Sequence, residues 1–191
     1  MTRLQEETSS CAQCPLRQGA RQVAFGEGNP CAKIMIVGEG PGQEEDRLGR
    51  PFVGPAGQLL DKILAAGGFG RMEHTYIANI VKCRPPGNRI PTPSERASCL
   101  THLYRQIEIV DPVIILLLGA TALQGLVKPE GRISRDRGQW ILWENRWVMP
   151  TYHPAALLRD VSLKRPVWED IKLVVARYRE LVDANHASQY C

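Results

Sequence analysis

The sequence predicts an α/β fold, specifically a three-layer α/β/α sandwich around a central, mostly parallel sheet of four strands. Three observations favour this class: short apolar runs alternate with amphipathic segments, the connections between them are short, and no internal repeat interrupts the pattern. The chain has 191 residues, of which 43% are hydrophobic, so it can bury one sizeable core. We therefore expect a single domain over residues 1–191.

Several segments have the composition of strands. Residues 32–38 (AKIMIVG) predict a buried strand that runs into a glycine-rich loop, and residues 75–81 (TYIANIV) are rich in β-branched and aromatic side chains. Residues 113–118 (VIILLL) are apolar on both faces, as in a central parallel strand covered by helices. Residues 140–152 predict two strands that turn at Glu144 and Asn145.

The intervening segments predict helices. Helical spacing of apolar residues covers 58–66, a long amphipathic helix opens at Ser94 and ends near Asp111, and a closing helix covers about 166–182. Residues 11–30 are polar and rich in turn-forming residues, so we expect a bound metal to hold the segment 1–30 in place. For residues 184–191 we predict a flexible tail.

Charge and hydropathy exclude several classes of protein. The formal net charge is +4, from 24 Lys and Arg against 20 Asp and Glu, which excludes a disordered polyelectrolyte but allows a basic face. The chain lacks a run of about 18 apolar residues, the length that spans a membrane, and residues 1–10 lack the apolar stretch of a secretion signal. We expect a cytoplasmic protein without a membrane partner.

Four of the six cysteines have the pattern of a metal site. Cys11 and Cys14 form a C-x2-C pair, and Cys83 and Cys99 are the other two candidates. In a reducing compartment such thiols ligate metal more often than they form disulfides, and four thiolates hold either a tetrahedral zinc ion or a [4Fe-4S] cluster. We interpret Cys31 as a buried thiol and Cys191 as a terminal residue without a role.

A pocket is expected where the predicted parallel strands end, because ligands bind beyond the carboxyl ends of such strands. The loops 38–54, 82–93, 119–121 and 152–159 all lie at that edge. The predicted lining is Glu39, Glu45, Phe52, Asn79, Arg84, Arg89, His153 and Arg159.

The first of these loops is rich in glycine and in carboxylates. It falls short of a dinucleotide fingerprint, because Pro41 removes a backbone donor and the neighbouring acids would repel phosphate. Carboxylates there suit a reaction that develops positive charge or must orient a water molecule. The alternative is an ordinary turn with solvated acidic side chains.

Four motifs in order resemble those of the family 4 uracil-DNA glycosylases. They are residues 38–46 (GEGPGQEED) with 49–57 (GRPFVGPAG), residues 79–86 (NIVKCRPP), residues 153–159 (HPAALLR) and the set of four cysteines. The resemblance covers about 11–182. It implies excision of uracil from DNA by cleavage of the N-glycosidic bond, which leaves an abasic site.

The resemblance also implies roles in base recognition. Phe52 would stack on a flipped uracil, Asn79 would pair with its O4 and N3–H groups, and His153 would donate a hydrogen bond near O2. Other glycosylases of the superfamily carry an aspartate at the position that matches Gly40, so Gly40 lines the uracil site without supplying a side chain. Without the motifs, Asn79 would be interpreted as a strand-terminating residue and His153 as an ordinary core histidine.

The resemblance leaves two carboxylates, Glu39 and Glu45, as candidates to position the water that hydrolyses the bond. We expect Glu45 to position it and Glu39 to shape the loop. A related covalent-trapping branch carries a histidine in the loop after the second strand, where this chain has Arg89-Ile90-Pro91. The sequence therefore predicts hydrolysis with release of uracil.

For the DNA and the metal, the resemblance implies a further set of contacts. Arg84, Arg89 and Arg159 would bind the backbone phosphates, and Leu157 would fill the gap left by the flipped base. Of the two candidate metals it selects a [4Fe-4S] cluster on Cys11, Cys14, Cys83 and Cys99. The expected partner is uracil-containing DNA, single- or double-stranded, bound by a nucleoid-associated monomer; no sliding clamp or repair partner can be identified from the sequence.

Two other classes of protein compete with this interpretation. An iron-sulfur electron-transfer or redox-sensing protein would explain the cysteines, and a nucleic-acid binding module without catalysis would explain the arginines. Neither explains why Phe52, Asn79 and His153 should meet in one pocket.

Overall fold

The computed structural model describes residues 1–189. The strands are β1 (Glu27–Gly28), β2 (Ile34–Gly38), β3 (Thr75–Asn79), β4 (Ile114–Leu118), β5 (Ile141–Trp143) and β6 (Arg146–Thr151). The α-helices are α1 (Thr2–Ser9), α2 (Leu16–Gly19), α3 (Gln43–Leu48), α4 (Pro55–Ala66), α5 (Pro93–Val110), α6 (Ala120–Leu126), α7 (Ile133–Asp136), α8 (Pro154–Arg159) and α9 (Lys164–Leu181). Short 3-10 helices cover Pro86–Asn88 and Val161–Leu163.

The strands form one mixed sheet in the order β1-β3-β2-β4-β6-β5. The four central strands β3, β2, β4 and β6 run parallel to one another, whereas β1 and β5 pair antiparallel with β3 and β6 at the two edges. The predicted α/β class with a mostly parallel sheet is confirmed. The antiparallel edge strands extend the four-stranded parallel centre.

Helices cover both faces of the sheet, which gives the predicted three layers. Met35 and Val37 of β2 pack on one face with Leu103 and Ile107 of α5 and with residues of α6. Ile34 and Ile36 point to the opposite face, where α4, α8 and α9 contribute side chains. This alternation along β2 follows from the two-residue period of a strand, and it explains why the strand is apolar throughout.

The element boundaries differ from the predictions by a few residues. β3 ends at Asn79 rather than at 81, because the N–H groups of Ile80 and Val81 bond across a loop to the carbonyls of Gly38 and Glu39. The hairpin turn is confirmed, since Glu144 and Asn145 have φ angles of 45° and 62°, as a tight two-residue turn requires.

Helix α5 begins at Pro93 behind a capping box. The Thr92 hydroxyl accepts a hydrogen bond from the N–H of Glu95, whose carboxylate accepts one from the N–H of Thr92. This cap fixes the start of the helix that carries Cys99.

Both ends of the chain make contacts that the sequence analysis did not predict. The first helix α1 packs against α5 and buries Leu4 and Thr8. Within 184–191, where we predict a flexible tail, His186 is buried and stacks on Phe69 at a centroid distance of 4.5 Å. Residues 190–191, including Cys191, lie outside the described residues, and the flexibility of the rest stays a prediction.

Among the described helices, none combines the length and the apolar character that a membrane span needs.

Candidate active site and cysteine set

A cavity of about 440 Å³ opens at the carboxyl ends of β2, β3 and β4 and reaches the start of α8. It brings together most of the side chains that the sequence analysis selected. These are Glu39, Gly40, Glu45, Phe52, Asn79, Arg89, His153 and Arg159. The four loops, which are distant in sequence, therefore meet at this edge of the sheet as expected.

Asn79 is the last residue of β3 and only 1% of it is exposed. Within residues 1–189, neither the Oδ1 nor the Nδ2 atom of its side chain has a hydrogen-bond partner. A buried amide without partners costs free energy, about 1–3 kcal/mol for each group, and native structures rarely keep one. Because Asn79 lines the cavity, its amide is available to a ligand there.

Phe52 is held in a strained backbone conformation with a φ of 52°, which an aromatic residue rarely adopts. The guanidinium of Arg71 donates hydrogen bonds to the carbonyls of Phe52, at 3.1 Å, and of Pro51. The ring of Phe52 lies 5.5 Å from the His153 ring, centroid to centroid. The strain thus presents an apolar ring to the cavity.

Gly38 allows Phe52 and Asn79 to approach each other. A Cβ at this position would lie 2.4 Å from the Phe52 ring and 2.6 Å from Asn79 Oδ1. Only a residue without a side chain fits between them. Gly38 therefore allows the close spacing of Phe52 and Asn79, although the sequence analysis did not select it.

Glu45 holds the loop around this site. Its carboxylate accepts hydrogen bonds from the N–H groups of Gly42 at 3.1 Å, Val53 at 2.9 Å and Gly54 at 2.8 Å. A carboxylate has about four acceptor positions, so most of them are occupied. The loop-shaping role that we expected of Glu39 belongs to Glu45.

Glu39 has a different environment. One of its carboxylate oxygens accepts a short hydrogen bond from the hydroxyl of Thr121, at the start of α6. Both residues line the cavity. This contact orients the Glu39 carboxylate through a side chain, whereas Glu45 is held by main-chain N–H groups.

His153 precedes α8 and is oriented by the helix. The N–H of Ala155 donates to His153 Nδ1 at 3.1 Å, so Nε2 is the nitrogen that carries the proton. Burial, together with the nearby Arg159, lowers the pKa of His153 to about 4, against an opposite effect of Glu45. At neutral pH the ring is therefore uncharged and acts as a hydrogen-bond donor through Nε2.

The structure corrects one predicted DNA contact. Leu157 is 1% exposed and belongs to the same core as Leu60 and Leu64 of α4, the helix against which α8 packs. The neighbouring Leu158 is 52% exposed. The structure therefore does not expose Leu157 to DNA, contrary to the prediction.

The arginines near the cavity have different partners. Arg89 forms a bidentate ion pair with Glu95, at 2.7 and 2.8 Å, which fastens the loop 84–93 to the start of α5. Arg84 donates to Asn88 Oδ1 at 2.8 Å and, unlike the other seven predicted lining residues, does not border the cavity. Arg159 is exposed and lines the cavity.

The four cysteines of the predicted metal site border a second, smaller cavity between the N-terminal segment and α5. The main-chain N–H of Lys82 lies 3.3 Å from Cys99 Sγ, and His102 Nε2 lies 3.3 Å from Cys11 Sγ. Burial raises the pKa of the Cys83 thiol to about 12, with further contributions from Cys99, Cys14 and Cys11. The thiols are therefore neighbours, and they would release protons on binding a metal.

The remaining described cysteine differs from its prediction. Cys31 is exposed rather than buried, because it lies in the turn before β2. It is not part of the second cavity.

Comparison with known proteins decides the family. The family model for the uracil DNA glycosylase superfamily matches residues 25–172 of the chain. The chain belongs to this superfamily.

Relatives within this glycosylase superfamily are similar over most of their length. A type-4 uracil-DNA glycosylase of Thermotoga maritima is 50% identical over 173 residues, which cover 87% of this chain and 88% of that protein. Type-4 uracil-DNA glycosylases of Sulfurisphaera tokodaii and Archaeoglobus fulgidus are 40% and 41% identical. These alignments cover 91% and 88% of this chain, and 83% and 88% of the respective relatives.

Three residues of this glycosylase-superfamily site were missed by sequence reasoning: Gly38, Arg71 and Thr121. Gly38 ends a strand and precedes the glycine-rich loop, which is a signal for close approach of another group. Arg71 and Thr121 act on residues far away in the sequence, and no local pattern marks such contacts.

Proposed function

We propose that this protein excises uracil from DNA by hydrolysing the N-glycosidic bond. One observation carries the proposal: the buried Asn79 amide, which makes no hydrogen bond within the described residues, faces a cavity that it shares with Phe52 and His153. The relatives named as type-4 uracil-DNA glycosylases support the same activity. An electron-transfer protein would have no use for such a cavity.

Base recognition follows from the hydrogen-bonding groups of Asn79. Its Nδ2 donates and its Oδ1 accepts, which complements the O4 acceptor and the N3–H donor of uracil. Cytosine presents an amine and an unprotonated ring nitrogen at those positions, so both hydrogen bonds would be lost. Phe52 supplies the stacking face for the flipped base.

His153 stabilises the leaving group. As the glycosidic bond breaks, negative charge develops on the uracil ring, and the Nε2–H group donates a hydrogen bond at O2. The neutral ring is suitable because its other nitrogen already accepts from the N–H of Ala155. The tautomer is thus fixed before the substrate binds.

The sugar acquires positive charge in the same step, and a carboxylate must stabilise it and orient the water. Glu45 is our sequence-based candidate, but its carboxylate accepts three main-chain hydrogen bonds. We infer that Glu39, oriented by Thr121, positions the water and that Glu45 contributes its charge while it holds the loop.

We assign DNA binding to residues of α8 and of the loop 84–93, two segments that border the cavity. Leu158 replaces Leu157 as the side chain that fills the gap in the base stack. Arg159 and Arg84 are our candidates for phosphate contacts, whereas Arg89 positions its own loop through Glu95. We expect a single-domain monomer to act on single- and double-stranded DNA in this way.

Cys11, Cys14, Cys83 and Cys99 are the residues that would hold a [4Fe-4S] cluster. All four thiols border a common cavity, which supports one shared metal centre. Four thiolates suit either zinc or a [4Fe-4S] cluster, and the resemblance to the family 4 glycosylases favours the cluster. The cluster would crosslink the N-terminal segment to the loop after β3 and to α5.

The test is an excision assay with a labelled oligonucleotide that contains one uracil, single-stranded or opposite guanine. Hot alkali cuts the strand at abasic sites. We expect cleavage that depends on uracil, and a loss of at least about 100-fold for Asn79→Ala, since two hydrogen bonds at the reacting base are removed. Asn185→Ala, at an exposed position, is the matched control.

Affinity for undamaged duplex distinguishes catalysis from simple binding. Phosphate contacts dominate that affinity, so Asn79→Ala should leave it unchanged. If wild-type protein with its metal restored binds DNA but leaves uracil in place, the non-catalytic binding module becomes the better interpretation.

A further inference from the structure

Lys82 is a buried lysine that lies between the two sites. It is 1% exposed and follows β3 by three residues, directly before Cys83. Its Nζ donates to the main-chain carbonyl of Asn79 at 2.8 Å and to Gln106 Oε1 at 2.5 Å. Its own N–H donates to Cys99 Sγ at 3.3 Å.

Burial of the Lys82 ammonium costs free energy, which an apolar side chain at this position would avoid. An ammonium loses its hydration in the interior, and both of its acceptors are neutral groups. A methionine of similar length would fill the same space without that cost. The lysine therefore contributes something that an apolar side chain cannot.

That contribution is the orientation of Asn79. Within the described chain the Asn79 side-chain amide makes no hydrogen bond of its own, so its direction depends on the backbone that carries it. Asn79 is the last residue of β3, and the chain leaves the regular ladder there. The bond from Lys82 Nζ holds the Asn79 carbonyl at this exit.

Gln106 fixes the lysine in turn. Its Nε2 donates to the carbonyl of Phe25 at 2.9 Å and lies 3.3 Å from the hydroxyl of Tyr76, while its Oε1 accepts from Lys82. The amide is therefore held at both ends, and α5 supplies a rigid support. The lysine is thus anchored on its main chain at Cys99 and on its side chain at Gln106.

We infer that Lys82 is a positioning residue, which fixes the Asn79 amide for recognition of uracil and connects it to the cysteine set. The inference rests on the proposed function, because it assumes that Asn79 reads the base. It predicts that removal of the ammonium impairs uracil recognition more than it impairs DNA binding.

The test compares Lys82→Met with wild-type protein, both with their metal restored. We expect the affinity for free uracil, measured by calorimetry, to fall about tenfold, the equivalent of one good hydrogen bond. The preference for uracil over cytosine in an oligonucleotide should fall as well. The affinity for undamaged duplex should stay within about twofold, because phosphate contacts set it.

Leu103→Ala is the matched control. Leu103 is fully buried in the core on α5, and its truncation to alanine destabilises the fold without removing a hydrogen bond to Asn79. It should lower the melting temperature and leave uracil affinity unchanged. If Lys82→Met and Leu103→Ala have the same uracil affinity, or if Lys82→Met binds uracil like wild type, the inference is wrong.

Two further results keep the outcomes separate. If Lys82→Met does not fold, Lys82→Gln replaces it in the test. The shorter glutamine side chain cannot reach both acceptors of Lys82, so we expect the same loss of uracil affinity. Wild-type affinity for uracil in Lys82→Gln would overturn the inference. Failure of wild-type protein to excise uracil at all would contradict the proposed function itself.

Discussion

At the scale of single residues, the site depends on polar side chains whose orientation is set before any substrate arrives. His153 is fixed through Nδ1 by a main-chain N–H, and Glu45 is fixed by three of them. Asn79 lacks such bonds within the described residues and relies on its backbone. Preorganised dipoles of this kind stabilise developing charge without reorganisation during the reaction.

The pH dependence of excision follows from His153. Its pKa of about 4 in the folded protein lies below the usual value near 6.5, so the ring stays neutral at pH 5–8. We expect kcat/KM to remain level as the pH falls through 6.5 and to decrease only near pH 4. A decrease centred on pH 6.5 that His153→Gln abolishes would show that the ring titrates normally.

The same shift affects stability, measured by denaturant unfolding as a function of pH. In the unfolded chain, His153 binds a proton more tightly than in the folded chain. Protonation of His153 therefore leaves the free energy of unfolding unchanged above pH 6.5. As the pH falls from 6.5 towards 4, the free energy of unfolding decreases by at most about 1.4 kcal/mol for each pH unit.

At the scale of elements, α8 places two consecutive leucines in opposite environments. Leu157 packs in the core, whereas Leu158 is exposed next to Arg159, which lines the cavity. Our proposal assigns a stability role to the buried leucine and a DNA-binding role to the exposed one.

Substitution of each leucine should separate these roles. Leu158→Ala should change the free energy of unfolding by less than about 0.5 kcal/mol, yet slow excision from duplex more than from single strands, where no stack needs filling. Leu157→Ala should cost about 2–5 kcal/mol, because it leaves a cavity in the core. The measurements are denaturant unfolding and excision rates on both substrates; an exchange of the two phenotypes would restore our sequence-based assignment.

Local patterns predicted the elements, and long-range contacts explain most of what they missed. The strand at 113–118 and the turn at Glu144 were predictable because apolar runs and turn residues act locally. The choice between Leu157 and Leu158 depends on how α8 packs against α4, which sequence spacing over six residues does not fix. The roles of Glu39 and Glu45 depend on partners brought together only by folding.

At the scale of the whole molecule, two layers of helices hold the sheet, and the cysteine set joins the N-terminal segment to one of them. The second cavity is bordered by residues of α1, of the loop after β3 and of α5. Lys82 lies at the contact between this region and Asn79. In our proposal, Lys82 therefore connects the cluster site to the base-recognition site.

Loss of the metal should loosen the N-terminal segment first. Cys14→Ser should lower the iron content, raise hydrogen exchange and proteolysis in residues 1–30, and lower the melting temperature, because metal binding contributes to folding free energy. Cys31→Ser is the matched control, since Cys31 is exposed and outside the set. Equal effects of the two substitutions, or zinc in place of iron in protein purified without oxygen, would contradict the cluster assignment.

The most direct test of the central claim is chromatographic detection of the base released from an oligonucleotide with a single uracil. Hydrolysis at the Asn79 site predicts about one free uracil for each strand, no release of cytosine from the matched strand, and no protein-DNA adduct that survives denaturation. Intact uracil-containing strands after incubation with the iron-loaded protein, or a stable adduct in place of free uracil, would contradict the account.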